Sequence, residues 1–184
     1  MSQNSPLSRS YVTRQDRAVN DEAWIAAFLM QAPIATIGTI HDEQPYLSTL
    51  LFAFDEPERA IYFHTARRGR VWENLQQNPH TCLTVTEMGR LLPAEAASGF
   101  SVEYQSVVVF GDTHPLDDPS EARRALQMML DKYFSRLQSG RDYQTMTGDE
   151  IAATAVYRLE IQEWSGKRKT VPADFPGAFH WGEQ

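Results

Sequence analysis

The chain is 184 residues long, which suits one domain and would be cramped for two. Its 17 basic and 24 acidic residues leave a net charge of −7, a field that repels nucleic acid and anionic membranes. Hydrophobic residues make up 42% and charged residues 22%, a globular balance, and no apolar stretch approaches the roughly 20 residues of a membrane span.

Residues 1–20 are polar and mixed in charge, without the apolar run of a signal peptide, and read as a loose arm. Asn20 or Asp21 can cap a helix whose apolar residues Trp24, Ile25, Phe28 and Leu29 share one face, with Pro33 as its stop. From there the period changes to two. Residues 34–40 alternate, the polar run from His41 to Gln44 makes a hairpin turn, and residues 45–54 read as a long strand covered on both faces. Asp55-Glu56-Pro57-Glu58 turns the chain into a strand over 60–65. Connections this short exclude parallel crossovers, so the sheet is antiparallel.

Arg67, Arg68 and Arg70 follow, then a short helix over 71–77 and a strand over 81–86. Residues 88–99 read as a loop and residues 100–110 as a strand rich in β-branched and aromatic side chains. Asp118 caps a second long helix, with Pro119 at its first position and Glu121 completing a capping box. Its apolar stripe runs through Leu126, Met129, Leu130, Tyr133, Phe134 and Leu137 to a stop at Ser139-Gly140. Residues 154–164 alternate as a final strand, broken by Ser165-Gly166 before the basic run Lys167-Arg168-Lys169. Roughly six antiparallel strands with two peripheral helices favour a mainly β protein, a closed or split barrel; an OB-like or Greek-key barrel fits the pattern equally. The expected organisation is an arm over 1–20, a barrel domain over 21–169 and a tail over 170–184.

Cys82 is the sole cysteine, so an intrachain disulfide is excluded and a reducing compartment, by default the cytoplasm, is expected. The five histidines are scattered without metal-ligand spacing. No glycine-rich nucleotide loop and no serine-hydrolase elbow is present. The informative segment is Ile61-Tyr62-Phe63-His64-Thr65 with its three following arginines. A strand that feeds a basic loop and a helix start gathers guanidinium and unpaired N–H groups, which suits a phosphate monoester. The same arginines can equally be solvated. His64 can give a proton or stack on a ligand, or it can be a hydrogen-bonded structural residue.

Several runs appear in the order known from one family. They are Gln44 to Phe52, Ile61 to Ala66, Gly69-Arg70, Asn74-Leu75, Asn78-Pro79, Glu103 to Gly111 and Trp164-Ser165-Gly166-Lys167. Together they resemble the pyridoxamine 5′-phosphate oxidase-related flavoproteins, specifically the nitroimidazole-resistance branch. The resemblance implies an antiparallel, Greek-key-like FMN-binding split barrel, a homodimer, and FMN in a groove between the subunits. It implies that Ser48, Thr49, Leu50 and Leu51 meet the flavin ring, largely through backbone groups, and that His64, Thr65 and Ala66 border it. Arg70, with Arg67 or Arg68 and Asn74, would hold the phosphate. Ser106, Trp164 and Lys167 would approach from strands around the groove, the partner subunit being one source.

Two departures stand out. Pyridoxamine phosphate oxidases carry an Arg and a Lys where this chain has Ser48 and Ala53, and their C-terminal substrate motif is not evident after Trp164, which speaks against pyridoxine phosphate as substrate. Many nitroimidazole-type relatives have a Lys where this chain has Val71, so Arg70 has to compensate. The function implied is an FMN-dependent oxidoreductase that takes electrons from a reduced nicotinamide or similar donor to a small organic acceptor, nitro compounds among the candidates. His64 is the side chain for proton delivery. A flavin carrier or sensor, a split barrel holding haem or a deazaflavin, and a cofactor-free interaction domain are the alternatives.

Overall fold

A computed structural model describes residues 8–183; the first seven residues of the expected arm and the last residue of the tail lie outside it. Along the described chain come β1 (Ala18–Val19), α1 (Glu22–Gln31), β2 (Ala35–His41), β3 (Gln44–Leu50), β4 (Ala53–Asp55) and β5 (Ala60–Ala66). Then follow α2 (Arg70–Gln77), β6 (His80–Leu92), β7 (Ser101–Pro115), α3 (Pro119–Tyr133), α4 (Gly148–Ala153) and β8 (Thr154–Lys169). Asp21 caps α1, its carboxylate accepting from the N–H groups of Ala23 and Trp24 at 3.0 and 3.2 Å. Asp118 does the same for α3, with Pro119 at the first helical position, as the sequence predicts.

Every strand pairing is antiparallel, in the order β3-β2-β6-β7-β8-β5-β4, with β1 added beside β8. The fold class read from the sequence therefore holds: a mainly β barrel with helices at its periphery. The sheet's first and last strands, β3 and β4, are consecutive in the chain and separated only by Leu51 and Phe52. One extended run thus pairs with β2 in its first half and with β5 in its second, and the barrel splits where the run changes partners. Phe52 sits at that change without a strand partner. The Tyr133 hydroxyl at the end of α3 satisfies it, accepting from the Phe52 N–H and donating to the Phe52 carbonyl, both at 3.1 Å.

The barrel interior holds the main core, with Ile37, Phe52, Phe63, Leu83, Val107, Val109, Tyr157 and Leu159 all fully buried. Alternation on β5 sends Ile61 and Phe63 inward and Ala60, Tyr62 and His64 outward. On that outer face Ala60, Tyr62 and Val156 form a second cluster under Ala122, Ala125 and Ile151 of α3 and α4. Arg124 fastens α3 there, donating to the buried Asp55 carboxylate and to the Tyr62 hydroxyl, each at 2.7 Å.

The structure corrects five local expectations. Residues 45–54 are two strands, and β3 is exposed on its outer side, because the sheet ends there. The expected loop after residue 86 is strand: β6 and β7 continue as a long hairpin through a register shift between Met88 and Leu91, held by Arg90 on Glu103 at 2.8 Å. Gly111 does not end β7 but sits at a bulge, where an added Cβ would meet the Glu160 carbonyl oxygen at 1.9 Å. Gly166 likewise does not break β8. It lets Trp24 and Val19 approach, with the Trp24 ring 2.9 Å from where a Cβ would stand. Helix α3 stops at Tyr133 with Phe134 as its cap, so Leu137 lies beyond it and is exposed.

Part of the expected arm is structured, since β1 pairs Ala18 with Lys167 and Val19 with Gly166. The tail is tethered through a bridge between Leu91 and Phe179. No helix among the described residues is long and apolar enough to cross a membrane.

Candidate functional site

His64 lies on the outward face of β5 near its end, past the cover that α3 and α4 give to Tyr62. Beside it opens a cavity of about 330 Å³ lined by Leu51, Leu126, Met129, Leu130, Tyr133, Phe134, Met146, Glu150, Ile151 and Thr154. The stripe of α3 assigned to a helix face is thus only partly core. Met129 is buried and still lines the cavity, together with Leu126, Leu130, Tyr133 and Phe134. The other wall, α4, escaped sequence reading; its legible signal was the capping box, in which Thr147 and Glu150 exchange hydrogen bonds.

The His64 ring keeps solvent access at the cavity mouth and makes no side-chain hydrogen bond among the described residues. The apolar walls disfavour the imidazolium and push its pKa below the ordinary 6.5. At neutral pH it is therefore a neutral imidazole, offering one N–H donor and one lone pair.

Immediately beyond β5 the chain reverses through Gly69 (φ 98°) into α2. Gly69 supplies no side-chain cap, so the first N–H groups of α2 are left for another acceptor. Arg68 and Arg70 are exposed at this helix start, and the Arg70 guanidinium lies 6.0 Å from the Tyr46 ring centroid on β3. Arg67 turns the other way, its Nε donating to the Ala152 carbonyl at 2.7 Å, and so ties the loop to α4. Near Thr65 and Arg67 the buried Tyr157 hydroxyl has no partner in hydrogen-bond geometry among the described residues. An apolar cavity, unpartnered donors and exposed guanidiniums thus flank one strand end. That donor set fits a flat aromatic ligand carrying a phosphate.

Against the chain stands a protein-family model described as pyridoxamine 5′-phosphate oxidase, which matches residues 21–168. The chain belongs to this family. Among solved structures, the flavocytochrome Anf3 from Azotobacter vinelandii is 27% identical, covering 91% of this chain and 77% of that one, with a TM-score of 0.77. The FAD and haem binding protein from Mycobacterium smegmatis is 21% identical, covering 86% of this chain and 76% of that one, at a TM-score of 0.74. A Bacteroides thetaiotaomicron protein, described as a candidate for 5-nitroimidazole antibiotic resistance, is 20% identical, covering 82% of this chain and 86% of that one, at a TM-score of 0.68. The comparison with curated proteins gave no match.

Within this member of the family, the expected cofactor residues fall into three groups. Leu51, His64, Thr65, Ala66, Arg68 and Arg70 gather at the end of β5, and Ser48, Thr49 and Leu50 approach it along β3, whose outer edge has no strand partner among the described residues. Asn74 does not face solvent. It is fully buried and its amide donates to the Thr39 hydroxyl at 2.7 Å, which locks α2 onto β2 and takes this residue away from an accessible phosphate. Val71 is also turned into the core, so it offers no cation.

Ser106, Trp164 and Lys167 are remote from His64 in the same chain. His64 pairs with Val156 on β8, whereas Ser106 pairs with Lys167 at that strand's far end. Trp164 is engaged elsewhere, donating to Glu22 at 3.0 Å and lying 4.0 Å beneath the Arg59 guanidinium.

Proposed function

We propose that the chain is a flavoprotein that binds FMN at the end of β5 and works as an oxidoreductase on a small organic acceptor. The observation that carries this is the uncapped start of α2 with Arg68 and Arg70, set beside the cavity that His64 borders. Arg68, Arg70 and the first N–H groups of α2 hold the phosphate, and the free edge of β3 supplies backbone groups to the ring. A bound flavin accepts a hydride or single electrons from a donor such as a reduced nicotinamide and returns them to the acceptor. The α3 and α4 side chains keep water from the acceptor, and His64 orients it by a hydrogen bond. Proton delivery from His64 requires the imidazolium, so a rate that depends on it falls as pH rises. Nitro compounds are among the acceptors that fit an apolar cavity with one polar anchor.

The proposed assembly is a homodimer with the ligand between the subunits. Ile40, Tyr46, Leu47 and Leu51 are exposed on or beside the unpaired β3 edge, which is an apolar surface in need of cover. A second copy would bring its Ser106, Trp164 and Lys167 to a site that one chain leaves open. A cytoplasmic address completes the reading and rests on the single cysteine.

The test is a titration of FMN followed by flavin fluorescence. Replacing Arg70 with alanine is expected to weaken FMN tenfold to a hundredfold, about 1–3 kcal/mol for a phosphate oxygen left unpaired in a partly buried site. Unchanged affinity would remove Arg70 from the phosphate and with it the reading.

One observation favours a second reading. A neutral imidazole facing an apolar cavity that also presents Met129 and Met146 is a ligand set suited to haem iron. The 27% identical Anf3 is itself a flavocytochrome. The visible spectrum of the purified protein decides this: a Soret band lost on His64→Ala supports haem, and flavin bands alone oppose it.

A further inference from the structure

The pairing of β1 with β8 brings two basic segments together. With Ala18 opposite Lys167 and Val19 opposite Gly166, the residues just before β1 lie against the run Lys167-Arg168-Lys169. Between them is a second cavity, of about 510 Å³, lined by Arg14, Asp16, Arg17, Arg168, Lys169 and Thr170 with the β1 backbone. Asp16 is the only acid in the lining, and it is taken by Arg14 at 2.6 Å, with Arg17 at 3.8 Å. Lys167, Arg168 and Lys169 have no carboxylate within ion-pair distance among the described residues.

These cations are positioned by aromatic and hydroxyl groups. Arg17 and Lys167 lie 5.9 and 5.6 Å from the Tyr104 ring centroid, and Arg17 also donates to the Tyr104 hydroxyl at 3.4 Å. Arg168 lies 5.4 Å over the Trp24 ring, and Lys169 donates to the Ser101 hydroxyl. Holding like charges around one cavity costs free energy unless an anion enters, and the chain does so against its own net charge of −7.

We propose that this groove is a second anion site, one that binds a diphosphate group. With Arg14 held by Asp16, the cations for a ligand come from two walls, Arg17 on one and Arg168 and Lys169 on the other, so two adjacent phosphates can engage both at once. Within one chain the site is separate from Arg68 and Arg70. Arg168 is twelve residues beyond Val156, the partner of His64, and at ~3.3 Å per residue such a strand spans up to about 40 Å. The net negative charge of the rest of the chain opposes long polyanions, so the occupant is a small molecule.

The experiment is isothermal titration of the full chain with inorganic pyrophosphate and with ADP-ribose, at low salt and independent of flavin content. Wild type should bind pyrophosphate. The double variant Arg168→Ala/Lys169→Ala should lose at least tenfold in affinity, while Arg168→Lys keeps most of it. Tighter binding of ADP-ribose assigns the groove to a dinucleotide, and equal binding to free diphosphates; both support the site. Absent binding to wild type, unchanged affinity in the double variant, or tighter binding of a 20-residue RNA would overturn it. Since none of these readouts requires flavin, their failure is distinguishable from failure of the FMN reading.

Discussion

β3 and β4 belong to one extended run of similar apolar composition, yet they occupy opposite environments. Ala53 and Phe54 are 3% and 8% exposed, whereas Tyr46 and Leu47 are 39% and 69% exposed. β4 is covered by α1, α3 and the Trp164 side chain. β3 is covered on its outer side by no strand or helix among the described residues. An apolar pattern records that side chains need cover; it carries no information on whether the cover comes from the same chain, a second copy or a ligand. Burial of β4 should therefore be read in the stability of one chain, and that of β3 in its assembly.

The largest effect belongs to β4. Phe54 packs against Trp164 with ring centroids 6.1 Å apart and closes the barrel interior near α1. Phe54→Ala should cost about 3–5 kcal/mol in urea unfolding, from lost transfer energy and the cavity left behind. A cost below about 1 kcal/mol would mean that β4 is not core.

The matching change on β3 should separate stability from assembly. Leu47→Arg is expected to alter the unfolding free energy of the single chain by less than about 0.5 kcal/mol, as for a surface position. The same variant should sediment as a monomer where the wild type sediments as a dimer. Unfolding must be compared at concentrations where both are monomeric, because dimerisation adds its own stabilisation. A variant that remains dimeric would move the interface away from β3.

The contrast also explains what was legible in the sequence. The caps of α1 and α3, the antiparallel connections and the alternation of β8 are local or periodic, and each was read from residue type and spacing. Asn74 reads as a ligand contact in the sequence because it is a polar residue just after a basic loop. Its burial against Thr39 depends on how α2 lies across β2, which no local pattern states. The cavity walls were half visible. The α3 stripe was plain, but an apolar stripe reads the same whether it meets core or empty space. The β6–β7 hairpin was cut short because Gly89 and the charged residues around it look like a loop, whereas the pairing of Arg90 with Glu103 carries the strands on.

The smallest expected effect concerns the boundary between the two environments, where His64 faces the cavity. Burial lowers its pKa below 6.5, so the folded chain binds fewer protons than the unfolded chain as pH falls under that value. Its neutral form is fully favourable above the unfolded pKa, and stability is lost as pH falls through the lower folded one. Carboxylates act in a separate window: Glu103, held by Arg90 down to about 2 from its ordinary 4.5, destabilises the fold only in more acid solution. His64→Gln should therefore leave the urea midpoint near wild type at pH 7.5 and exceed it at pH 5.5, by an amount that grows as pH falls between those values. Parallel profiles for the two proteins over that range would show a solvated imidazole. The cavity would then lack the dry wall that both the acceptor site and an iron ligand require.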